Sequence, residues 1–120
     1  MPLEAVRAFL LYFKHTVIGS GVYLIPRDVN RLTLILLGLT KRNLEEILLG
    51  FTVLDYCTGP KLDRDQADEI WEFGVDVDEI PIYIKLKLAE VEDVKIAKCI
   101  SFHIAKYPMK FPFQNTGTAK

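Results

Sequence analysis

Little in this chain is of the kind that builds metal or redox centres. It has two cysteines and two histidines in 120 residues. Cys57 and Cys99 fall in strand-like segments rather than in a spaced framework, so two buried thiols in a reducing, cytoplasmic setting are expected. His15 has no constellation around it. The densest apolar run, Leu32 to Leu39, includes Thr33 and Gly38 and is far too short to cross a bilayer. Near the start, Arg7 and Glu4 stand among apolar residues with no small-residue cleavage site, which argues against a signal peptide. Gly19-Ser20-Gly21 lacks both the Lys-Ser/Thr ending of a phosphate loop and the three-glycine dinucleotide pattern, and reads as a turn. Asp63, Asp65 and Asp68 have the wrong spacing for an EF-hand: its fifth position would be Ala67 and the required glycine is absent. That stretch reads as a solvated loop. Neither a metal nor a cofactor is called for.

What is present fits one soluble α+β domain over residues 1–113 with a frayed tail at 114–120. Half of the residues are apolar and 26% are charged. The net charge of −1 argues neither for nor against nucleic acid, but its distribution is uneven. Residues 41–80 hold 4 basic and 11 acidic side chains, whereas residues 81–110 hold 6 lysines against Glu90, Glu92 and Asp93. An anionic partner is therefore expected on the C-terminal strands.

The first half reads as helices. Leu3, Val6, Leu10 and Phe13 recur at helical spacing from Pro2 to about His15, with Pro2 suited to the opening turn. Val22 to Ile25 is a short β-prone run stopped by Pro26. A second helix starts near Asp28, with Asp28 or Asn30 as cap and Leu32, Ile35, Leu36 and Leu39 as its buried stripe. A third, capped by Thr40, buries Leu44, Ile47 and Leu48 and ends at Gly50.

The second half reads as strands. Val53 to Thr58 is closed by Gly59-Pro60. In the next, Trp71, Phe73 and Val75 oppose Glu72 and Gly74. After a connection at Asp76 to Pro81, Ile82, Ile84, Leu86 and Leu88 alternate with Tyr83, Lys85 and Lys87, so the two sets point to opposite sides. A charged connection, Ala89 to Ala97, leads to a last strand with Ile100, Phe102 and Ile104 in one row and Cys99, Ser101 and His103 in the other. If the last three strands are neighbours, Glu72, Tyr83, Lys85, Lys87 and His103 meet on one polar face. Beyond them, Tyr107 to Phe113 is interrupted by prolines and rich in aromatics, as an extended strap over the core would be.

These motifs resemble the MqsR family of toxin–antitoxin ribonucleases, chiefly over residues 30–106. The order Gly38-Leu39, Asp55-Tyr56-Cys57-Thr58-Gly59-Pro60, Trp71-Glu72-Phe73-Gly74-Val75, Ile82-Tyr83-Ile84-Lys85 and Ile100-Ser101-Phe102-His103 follows the family's strands. A branch ending Cys-Ile-Ser-Phe-His, Pro-Met and Pro-Phe is closer still, matching Cys99 to His103, Pro108-Met109 and Pro112-Phe113. The resemblance implies a RelE-like fold with a curved antiparallel sheet packed by N-terminal helices, metal-free mRNA cleavage on that sheet, and a cognate antitoxin protein as partner. Tyr83 and Lys85 match the family's motif unchanged. Thr58 replaces its basic residue, with Lys61 three positions on, while Glu72 replaces its glutamine and His103 its final lysine.

Cleavage by 2′-OH attack needs a base, a cation on the phosphate and an acid for the leaving 5′-oxygen. The expected roles are Lys85 as phosphate clamp, His103 and Glu72 as acid and base, and Tyr83 as an orienting or stacking group. Lys61 and Lys87 would hold the RNA backbone, and Tyr56 completes the substrate-binding set. The alternative is a relative that kept the fold as a protein- or RNA-binding module and lost the chemistry.

Overall fold

The structure, a computed structural model, describes residues 3–63 and 68–114. Its elements in order are α1 (Leu3–Ser20), β1 (Val22–Leu24), α2 (Asp28–Leu37), α3 (Lys41–Leu49), a 3₁₀ turn (Val53–Asp55), β2 (Tyr56–Leu62), β3 (Glu69–Val77), β4 (Ile80–Val91) and β5 (Val94–Ile104). This is the expected α+β class. The sheet order is β1-β5-β4-β3-β2. Strands β2 to β5 form an antiparallel meander, but β1 runs parallel to β5, with Val22 opposite Ala97. The sheet is therefore mixed rather than wholly antiparallel. The chain passes through two helices between β1 and β2, which frees β1 to take the far edge in either direction.

Helix α1 lays Val6, Phe9, Leu10, Phe13 and Val17 on the sheet. They meet Trp71, Phe73, Ile82, Ile84, Leu86 and Phe102, all buried. Phe9 stacks on Trp71 with centroids 4.8 Å apart, and Phe51 on Phe73 at 5.2 Å. The helix outruns its expected end at His15 because Val17, four residues after Phe13, extends the apolar stripe; Gly21, at φ 80°, follows its end. The expected role of Pro2 lies outside the described residues. Helix α3 begins at Thr40, whose hydroxyl accepts from the Asn43 amide while Asn43 accepts from the Thr40 amide.

Helix α2 departs from expectation in its facing. Leu32, Ile35 and Leu36 are exposed, while Asn30 and Thr33 are buried and only Leu34, Leu37 and Leu39 pack against the core. Its cap position is Arg27, whose side chain makes no capping hydrogen bond. The cause lies in β5. Opposite Lys85 and Leu86 the register jumps from Ser101 to Cys99, so Ile100 is an extra, bulged residue. Asn30, fully buried, donates to the carbonyls of Ile100 (2.9 Å) and Ile25 (3.0 Å) and accepts from the Phe102 amide (2.9 Å). Each such group left unsatisfied costs about 1–3 kcal/mol, and that fixes the rotation of α2 against its leucine stripe.

The same bulge shifts the alternation of β5. Ala97 and Cys99 face the core with Phe102, whereas Ser101 and His103 lie opposite Lys85 and Tyr83, and Ile104 is exposed. The row of Cys99, Ser101 and His103 is thus split. The strands are also longer than expected. Two-residue turns, Asp78-Glu79 and Glu92-Asp93, join β3 to β4 and β4 to β5, and all four residues have positive φ. The expected connections at Asp76 to Pro81 and Ala89 to Ala97 are mostly strand, because these turns carry no glycine or asparagine to announce them. The expected strand at Val53 opens instead with the 3₁₀ turn, and β2 continues through Gly59-Pro60 to Leu62. Gly59 allows this: its φ is 125°, and a Cβ there would sit 2.8 Å from the Ile70 carbonyl oxygen. Gln114, expected to fray, donates to the Leu54 carbonyl at 3.2 Å; the rest of that tail lies outside the described residues. No helix among the described residues is long and apolar enough to cross a membrane.

Candidate functional site

The sheet face away from α1 carries two adjacent rows of side chains. One row runs Ser101, Lys85, Glu72, Thr58 across β5, β4, β3 and β2; the next runs His103, Tyr83, Gly74. Directly opposed side chains have Cβ atoms about 4.5–5.5 Å apart. The four residues expected to carry chemistry therefore share one face, with Glu72 opposite Lys85 and Tyr83 opposite His103.

Their contacts give each a distinct state. Tyr83 and His103 have ring centroids 5.3 Å apart at 36°. Burial first, and then the facing Glu72 carboxylate, push the Tyr83 phenol well above its ordinary value, so it keeps its proton and can donate. His103 Nδ1 lies 3.0 Å from the Ile104 carbonyl. A carbonyl only accepts, so this contact puts a proton on Nδ1 and leaves Nε2 for a substrate. Glu72 pairs with Lys61 at 3.2 Å rather than with Lys85. Lys85 has no ion-pair partner among the described residues.

Two expected substrate-binding residues are placed elsewhere. Lys87 is 3% exposed, and its ammonium lies 2.8 Å from Asp63 Oδ2 and 3.3 Å from Asp68 Oδ2. The loop read as solvated folds onto it, at least at Asp63 and Asp68, so Lys87 cannot hold an RNA backbone. Asp65 and Ala67 lie outside the described residues. Tyr56 is 4% exposed in the core, stacked by Phe113 at 5.5 Å, with its hydroxyl donating to the Gly59 carbonyl. The 3₁₀ turn before β2 delivers it to the buried side.

One cation was not visible in the sequence as part of the site. Arg27, exposed before α2, donates from Nη1 to Ser101 Oγ at 3.0 Å and so joins the Lys85 row. Nothing in its surroundings in sequence signals this; the β5 bulge brings it there.

The stretch expected to strap the core from Tyr107 to Phe113 instead begins over this polar face, which residues 105–110 border, and reaches the core at Phe113 on Tyr56. Met109 rests on Gly74, where a Cβ would come within 2.5 Å of its sulfur. Between strap and sheet lies a cavity of about 580 Å³, lined by Cys57, Thr58, Glu72, Tyr83 and His103 below and by residues 105–110 above. Burial, then the carboxylates of Glu72 and Asp55, push the Cys57 thiol up to about 11, which leaves it protonated and a poor nucleophile near neutrality. Among the described residues no cluster of three or more His, Cys, Asp or Glu side chains could hold a metal ion. The chain matches no family model, no curated protein and no solved structure.

Proposed function

We propose that this face cleaves RNA by attack of a ribose 2′-OH on the adjacent phosphate. The observation that carries the reading is the convergence of Glu72, Tyr83, Lys85 and His103 on adjoining rows beside a cavity. The 2′-oxygen forms a bond to phosphorus as its proton passes to the Glu72 carboxylate, ionised in its pair with Lys61. The bond from phosphorus to the 5′-oxygen breaks, and His103 gives a proton to that oxygen from Nε2. Lys85, with no ion pair among the described residues, and Arg27 beside it balance charge on the pentacoordinate phosphate. Tyr83 donates a hydrogen bond and presents a ring face to a base. The products are a 2′,3′-cyclic phosphate and a free 5′-hydroxyl. The resemblance to MqsR-type toxins points the same way.

Purified protein incubated with mixed RNA should yield cyclic-phosphate ends. Lys85→Ala should slow cutting about 10²–10³-fold, and His103→Ala about 10²-fold or more. If wild type leaves RNA intact, the reading fails.

The exposed Leu32, Ile35 and Leu36 on α2 favour a second reading, a binding module whose partner is a protein such as an antitoxin. It predicts a stable complex in a pull-down from the native cell and no cutting. A specific partner together with cutting would instead fit a toxin held by its antitoxin.

A further inference from the structure

The cleavage scheme uses the floor of the cavity and leaves its other wall without a task. That wall is residues 105–110, and three of its features point to a ligand. Tyr107 borders the cavity yet is 80% exposed. Lys106 and Lys110 flank it, both exposed and bordering the same cavity, with no ion pair among the described residues. Met109, between them, is held down on Gly74, and Phe113 pins the end of the strap on Tyr56. A ring and two cations are thus held on an anchored segment.

We infer that the strap is the binding wall for an unpaired nucleotide of the substrate: its base enters between the Tyr83–His103 rings and Met109, the neighbouring base stacks on Tyr107, and Lys106 and Lys110 hold the flanking phosphates. This rests on the reading that the ligand is RNA, and adds that the RNA must be single-stranded. At about 580 Å³ the space falls within the range of small-ligand sites, roughly 300–1,000 Å³, and suits one nucleotide. A base held in a duplex has no free face to offer and cannot pass beneath a strap. Alternating aromatic faces and cations are the pattern by which unpaired nucleic acid is bound without strong sequence preference.

The test uses binding, so that it is separate from chemistry. A fluorescent single-stranded RNA of about ten nucleotides, with fluorine in place of every 2′-hydroxyl, cannot be cut by 2′-OH attack. The full chain should bind it more tightly than the same oligomer in a duplex. Tyr107→Ala should weaken binding about tenfold. Lys106→Ala and Lys110→Ala should each flatten the dependence of log affinity on log salt by about 0.7. All three side chains are exposed, so the variants should fold, which circular dichroism checks. Equal binding of duplex and single strand, or variants that bind as wild type does, would overturn the inference. If these binding results hold while natural RNA is not cut, only the cleavage chemistry falls. If Tyr107→Ala cuts and binds as wild type does, only the strap inference falls.

Discussion

Asn30 brings no charge to the molecule, yet it sets where several other side chains point. Its amide closes both open backbone groups at the β5 bulge. Asn30→Ala should therefore destabilise the fold by about 3 kcal/mol, read as a lowered urea midpoint with an unchanged slope. Loss of less than about 1 kcal/mol would mean the bulge is satisfied some other way. Cys57 gives a second test at this scale. With its thiol raised to about 11, the thiolate fraction at pH 8 is on the order of 100-fold below that of a free cysteine of pKa about 8.5. Alkylation by iodoacetamide should be correspondingly slow at pH 8 and should accelerate as pH rises toward 11. Rapid labelling at pH 8 would contradict the burial described. Individual residues were unequally legible in the sequence. Glu72, Tyr83, Lys85 and His103 could be assigned to one face by strand alternation once their strands were taken as neighbours; the neighbourhood itself comes from the pairing of β3, β4 and β5. Arg27, Asn30 and Cys99 could not, because each owes its place to one extra residue in β5, and a bulge leaves no mark on the pattern. Lys87 has the same alternation as Lys85; what separates them is that Asp63 and Asp68 bring their carboxylates to Lys87.

Among the elements, the two hairpin turns stand out for their composition. Asp78-Glu79 and Glu92-Asp93 put acidic side chains where both central residues have positive φ. A left-handed conformation costs an ordinary residue about 1–2 kcal/mol, and Asn-Gly is the pair that suits such a turn. Changing Glu92-Asp93 to Asn-Gly should raise stability by about 1 kcal/mol, seen as a higher thermal midpoint with β4 and β5 unaltered. The strap makes a different prediction. Gly74→Ala sets a methyl group against the thioether of Met109, the flexible end of a side chain. The expected cost is about 1 kcal/mol, together with a large shift of the Met109 methyl resonance; an unshifted signal would place the strap elsewhere. The strap could be foreseen from its prolines and aromatics, and the helices from their periodicity. The facing of α2 could not, since its leucine stripe is a good helical pattern that a buried amide overrules.

Over the whole molecule, the acidic excess of the middle and the basic excess after it prove to be partly joined. Asp63 and Asp68, from the acidic stretch, clamp Lys87 of the basic one. Burial alone would lower the Lys87 pKa, but hydrogen bonds to Asp63 and Asp68 outweigh it and the net shift is upward from 10.5. The ammonium is thus favoured by folding. Its contribution is full at neutral pH and is lost only as pH rises through the raised value, above 10.5. Lys87→Met, which strands two partly exposed carboxylates, should cost about 2–3 kcal/mol near neutrality, with the gap from wild type narrowing only as pH rises beyond 10.5. An equally stable variant at pH 7 would show that the clamp contributes nothing. The α+β class was readable from the order of helical and alternating segments, but the mixed sheet was not, because a three-residue strand has no preference for either edge. That strand has a temporal consequence. Val22 to Leu24 emerge early in translation and find their hydrogen-bonding neighbours, Ala97 to Cys99, only after about three-fifths of the chain has followed. A ribosome paused anywhere before β5 therefore holds a chain whose sheet is open at that edge and whose cavity has no roof, so any activity of this face must await near-complete synthesis.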